Sequence, residues 1–146
     1  MFVAEADVTI NRPQEEVFAF VNDPTMLPQW QKAVVESRRT SEGPPGVGST
    51  GINVRKVMGQ NIESTWEVIA YTVNESYAVK SVAGGPVSYE LSYTFTAVEG
   101  GTRVQGRLQA EAKGRLKVME GMIAGGVKQE FVEDHQRLKT LLESQA

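Results

Sequence analysis

The sequence has no cysteine and a single histidine. Thiol nucleophiles, disulfides, Cys-ligated zinc or iron–sulfur centres and any site needing two imidazoles are therefore excluded. No apolar run approaches the ~18 residues of a membrane-spanning helix, and the start MFVAEADV lacks a basic stretch ahead of an apolar one, so a cytoplasmic protein is expected. A large positive charge is also missing. Lys+Arg number 15 against Asp+Glu 18, a net charge of −3, which offers phosphate backbones no global attraction, so no nucleic-acid partner is expected. What is present is a chain of 146 residues with 40% hydrophobic and 23% charged side chains, the composition of one globular domain over 1–146.

Alternation of apolar and polar residues marks Phe2 to Ile10 as a half-buried strand. Pro13 suits the first turn of a helix whose apolar stripe is Val17, Phe18, Phe20 and Val21, with Glu15 and Glu16 at its positive end. Asn22-Asp23-Pro24 ends it, and Thr25 to Trp30 has room for one further helical turn. The period then becomes 2, with strands expected at Ala33–Arg39, Ser49–Met58, Asn61–Tyr71, Ser76–Ala83, Val87–Ala97 and Thr102–Ala112. Short turn signals separate them, among them Gly59-Gln60, Gly84-Gly85-Pro86 and Gly100-Gly101, and such short links imply antiparallel neighbours. From Leu116 the apolar positions Met119, Ile123, Val127, Phe131, Leu138 and Leu142 fall at helical spacing. A helix of about 29 residues, roughly 43 Å long, is expected, with a kink or close packing at Gly125-Gly126.

The fold class expected is α+β: a seven-stranded antiparallel sheet curled around a long C-terminal helix, with two short helices after the first strand. Where sheet and helix fail to close on each other a ligand cavity remains.

Candidate chemistry is sparse. Gly46-Val47-Gly48-Ser49-Thr50-Gly51 has the spacing of a dinucleotide fingerprint but leads into a strand instead of opening a helix, and reads as a turn. His135, beside Asp134, lies on or near the helix's apolar stripe, either as a satisfied, half-buried histidine or as a general base facing a cavity. No catalytic residue, metal ligand or cofactor is assigned. The strand phases put Ile62, Ser64, Trp66 and Val68 on one face, with Val87, Tyr89, Leu91, Tyr93 and Phe95, and with Val104, Gly106, Leu108 and Ala110. Of these, Ser64, Trp66, Tyr89, Leu91, Tyr93 and Leu108 are expected to wall a ligand site, together with Phe20, Trp30, Val54 and Val79. Met119, Met122, Ile123 and Phe131 would face them from the long helix. Buried tyrosine and tryptophan need polar partners, so this mixture suits a small hydrophobic or amphipathic ligand better than a dry core.

Ile10-Asn11-Arg12-Pro13, Val17-Phe18-Ala19-Phe20-Val21, Asp23-Pro24, Leu27-Pro28, Trp30 and Gly46-Val47-Gly48 together resemble the START/Bet v 1-like helix-grip superfamily, in its polyketide cyclase/dehydrase-like branch. The resemblance implies an apolar cavity used for lipids, polyketides, plant hormones or unknown ligands, in members that are aromatases or cyclases, that carry ligands or that act on partner proteins. It transfers no catalytic residue. Three functions follow as expectations: binding of a small lipid- or polyketide-like ligand, polyketide cyclase or dehydratase activity through a tyrosine or His135, or a protein-interaction module with a filled core. A homodimer is compatible with each.

Overall fold

A computed structural model describes residues 1–57, 59–82 and 86–145. Strand β1 (Phe2–Ile10) is followed by helix α1 (Gln14–Val21), a 3-10 turn at Pro24–Met26 and helix α2 (Leu27–Trp30). Strands β2 (Val34–Arg39), β3 (Thr50–Val57), β4 (Gln60–Thr72), β5 (Ser76–Ser81), β6 (Val87–Val98) and β7 (Gly101–Ala112) come next. A second 3-10 stretch, Gly114–Met119, leads into helix α3 (Glu120–Glu143).

The local reasons are those of the sequence. Pro13 caps α1 in extended geometry, Glu15 and Glu16 occupy its first turn, and Asp23 accepts the Thr25 amide at 3.0 Å to start the next turn. The strands form one antiparallel sheet in the order β1-β7-β6-β5-β4-β3-β2. β1 therefore pairs with the last strand, and the meander β2 to β7 carries the sheet round to meet it. Expected and observed strands agree to within a residue or so at most ends. Met58, Ala83, Gly84 and Gly85 lie outside the described residues.

α3 crosses the sheet face beside β1, with Leu138 and Leu142 fully buried in a cluster with Val8, Ile10, Val17, Phe18, Val21, Tyr77, Tyr93, Phe95 and Val104. Polar ties fix the far end: Lys139 Nζ donates to the Thr9 carbonyl at 2.6 Å and Glu143 accepts the Asn11 amide at 2.9 Å. Two sequence expectations about this helix are corrected. It begins at Glu120 and has 24 residues, about 36 Å, because Gly114 to Met119 winds as a 3-10 helix first. Its α-helical span runs through Gly125 and Gly126, and a Cβ on either would meet nothing within 4 Å, so no close packing calls for glycine there.

The glycines that matter are in the sheet. Gly106 on β7 lies under Tyr93, where a Cβ would come within 2.7 Å of the ring. Gly51, opposite Trp66 across β3 and β4, leaves room for the indole to lie over its backbone. Gly48, in the turn entering β3, has a φ of 92° and donates its amide to Val68 O at 2.9 Å, consistent with a turn and not with a phosphate-binding loop. No helix among the described residues is long and apolar enough to cross a membrane.

Candidate ligand cavity

Between the sheet and α3 the side chains leave a space of about 220 Å³, more than ten times the ~10–15 Å³ that one water needs. Each wall follows from a strand or helix phase. β4 contributes Ile62, Ser64, Trp66 and Val68; β5 contributes Tyr77 and Val79; β6 contributes Val87, Tyr89, Leu91 and Tyr93. β7 adds Leu108 and Ala110, and α3 adds Ile123, Val127, Glu130, Phe131, Asp134 and His135. Of the expected wall, Ser64, Trp66, Val79, Tyr89, Leu91, Tyr93, Leu108, Ile123 and Phe131 thus surround one cavity.

Five expected wall residues stand elsewhere. Trp30 is fully buried in the core, edge-on to His135 with ring centroids 5.2 Å apart, and Phe20 packs against the cluster around Leu138. Val54 points to the other face of the sheet. Residues directly opposite share a face, and the pairs Asn53–Ser64 and Arg55–Ile62 put Asn53 and Arg55 inward while Val54 faces Glu63 outside. Met119 falls in the 3-10 stretch, where the turn is tighter and the α-helical phase is lost. Met122 is 70% exposed, because it sits one residue, about 100° of helix, away from Ile123.

Sequence reasoning also missed the polar wall. Arg55, with Nη2 donating to Gln31 Oε1 at 2.9 Å, and Glu130 both line the cavity and also a shallow surface depression beside Ala33, Lys56 and Met122. They stand where the space approaches the surface. Charged side chains on a strand and a helix read as solvent-facing, and only pairing register and helix phase turn them inward. Two polar atoms here, Tyr89 Oη and Glu130 Oε1, are buried with no hydrogen-bond partner among the described residues. Burial pushes the Glu130 carboxyl up, with Arg55 pulling the other way, and burial likewise raises the Tyr89 phenol, offset in part by Ser64 and Arg55.

His135 is 1% exposed, more deeply buried than the sequence suggested, and fully engaged. Its Nδ1 lies 2.7 Å from the Phe131 carbonyl and its Nε2 2.7 Å from Tyr93 Oη. A carbonyl only accepts, so Nδ1 carries the proton and Nε2 accepts from the tyrosine hydroxyl. That arrangement fits a neutral imidazole, and burial does lower its pKa. Tyr93, buried beside it, is raised well above the ordinary phenol range by burial. The unfolded histidine titrates near 6.5 and binds more protons there than the folded one. The contribution to stability is thus present above that pH and is lost as pH falls through it, by up to about 1.4 kcal/mol per pH unit. Melting at pH 7.5 and pH 5.5 checks this: the acid-side fall expected in the wild type shrinks in His135→Gln, and an equally steep fall in that variant contradicts the assignment.

Asp134, next to it, is also buried and paired. Its Oδ1 accepts from Arg137 Nη1 at 2.8 Å and from the Lys32 amide at 3.1 Å, and Arg137 also reaches the Trp30 carbonyl at 3.0 Å. The Asp134–Arg137 pair therefore anchors the segment after α2 to α3.

The chain resembles several solved structures over nearly its whole length. The protein TTHA0849 from Thermus thermophilus superposes with a TM-score of 0.82 at 18% identity, covering 99% of this chain and 100% of that one. A START superfamily protein from Mycobacterium smegmatis gives 0.75 at 17% identity, covering 96% and 98%. Ara h 8.0201 gives 0.71 at 16% identity, covering 99% of each. At these identities the likeness is one of fold, the helix-grip of START and Bet v 1-like proteins. No curated protein matches the sequence. The family model for polyketide cyclase / dehydrase and lipid transport matches residues 1–143, and with that span the chain belongs to this family.

Proposed function

We propose that this protein binds a small hydrophobic or amphipathic molecule in the space between its sheet and α3. One observation carries the reading: a space of about 220 Å³ whose wall is built from the inward rows of β4 to β7 and the Ile123–Val127–Phe131 face of α3. Family membership and the helix-grip fold support it. Each methylene moved from water into such a wall contributes about 0.8 kcal/mol. A filled core, which a pure interaction module would have, fits poorly with a space of this size. His135 and Tyr93 are already satisfied by each other and by a backbone carbonyl, so they favour a positioned wall over a free acid or base.

Thermal melting in the presence of decanol, palmitate and a hydroxyanthraquinone tests the reading. At a hundredfold excess over Kd, a bound ligand raises the melting temperature of a domain this size by about 5 to 10 °C. No shift with any of the three would overturn the proposal.

A further inference from the structure

The polar groups of the cavity divide into donors and acceptors, and their balance selects a ligand. Arg55 uses one nitrogen on Gln31, and its other N–H groups have no hydrogen-bond partner among the described residues. Tyr89 Oη, buried and unpartnered among the described residues, stands on the inward row of β6, and the Ser64 hydroxyl on that of β4, the strand next to Arg55's β3. Opposite them, on α3, Glu130 Oε1 is likewise buried without a partner among the described residues. One fixed positive group and one carboxyl thus share the part of the wall nearest the surface depression. Such buried atoms need a partner, either water held in the space or a polar group of a ligand that displaces it.

Resting on the ligand-binding reading above, we infer that Arg55, Tyr89 and Glu130 form a head-group subsite for an uncharged group that offers a hydroxyl beside a carbonyl. The carbonyl accepts from Arg55 and Tyr89, and the hydroxyl donates to Glu130 Oε1. The apolar remainder of the ligand then runs inward along Leu91, Leu108 and Phe131. An anionic head group is drawn by Arg55 but repelled by Glu130, so it gains less than a neutral group that hydrogen-bonds to both. A head group without a hydroxyl leaves Glu130 unpaired.

Three decanoyl probes that share one apolar tail read this out by displacement of the neutral fluorophore N-phenylnaphthylamine. Hydroxyethyl decanoate carries a hydroxyl near an ester carbonyl, propyl decanoate replaces that hydroxyl by a methyl, and decanoate is an anion. The hydroxyethyl ester is expected to bind roughly tenfold more tightly than the propyl ester, with decanoate weakest. In Glu130→Gln the residue still accepts a hydroxyl, so the preference between the esters stays, while decanoate gains roughly tenfold as the repulsion disappears. Three probes binding within about twofold of one another, or decanoate unmoved in Glu130→Gln, would overturn the subsite and leave apolar binding standing. Failure of every probe, the fluorophore included, would overturn both.

Discussion

Trp30→Ala is expected to destabilise the protein by about 3 to 5 kcal/mol, the range for emptying a buried aromatic site. Trp30 has 0% exposure, and its indole Nε1 makes no hydrogen bond among the described residues. The cost therefore comes from lost burial and from the hole left between α2 and α3, with no hydrogen bond to add. The ring also closes one side of His135, whose tautomer is set by the Phe131 carbonyl and Tyr93. Against a total stability of about 5 to 15 kcal/mol, such a loss lowers the melting point by about 6 to 20 °C. Calorimetry or circular-dichroism melting measures it. The milder Trp30→Phe keeps most of the core, keeps an aromatic ring beside His135 and replaces no cavity-wall residue, so affinity for N-phenylnaphthylamine should stay near the wild-type value. A ligand-wall role for Trp30 would instead show as lost affinity with little change in melting.

That contrast shows where the sequence was readable and where it was not. The inward rows of β4, β6 and β7 could be read because each strand alternates cleanly, with glutamates, serines and arginines opposite Trp66, Tyr93 and Val104. The helix-grip order was equally legible from one leading strand, short helices, a run of strands with tight turns and a final long helix. β3 was not. Its apolar residues Ile52 and Val54 suggested the wrong face, and only the pairing of Asn53 with Ser64 and Arg55 with Ile62 shows that the polar residues point inward. Burial alone could not separate Trp30 from Trp66, since aromatic residues fill cores and line cavities alike. The hydrogen bond between Tyr93 and His135, 42 residues apart, depends on where α3 crosses β6, which no local pattern encodes. Glu130 and Arg55 were hidden for a related reason: charge argues for solvent until the tertiary structure turns the side chain inward.

The second large effect concerns the space itself. Leu91 lies in the middle of the sheet, opposite Leu108 on β7 and Val79 on β5, and all three line the cavity. Replacing it with tryptophan adds an indole where the wall now leaves a void, so the substitution is accommodated at little cost in stability. Overpacking a filled core typically costs about 1 to 3 kcal/mol instead. Leu108→Phe fills the same region with a smaller increment and serves where the tryptophan variant folds poorly. Neither change replaces Arg55, Tyr89 or Glu130, so the polar groups of the wall are kept and a loss of affinity reports occupied volume.

The most direct measurement is a fluorescence titration of N-phenylnaphthylamine into the wild type and Leu91→Trp, with melting curves of both taken alongside. Saturable binding by the wild type is expected, with a loss of at least about a hundredfold, some 2.7 kcal/mol, in the variant and both proteins melting within a few degrees of each other. Equal affinity in the two, or a variant that melts far lower while the wild type binds nothing, would contradict a hollow between sheet and helix that takes apolar molecules.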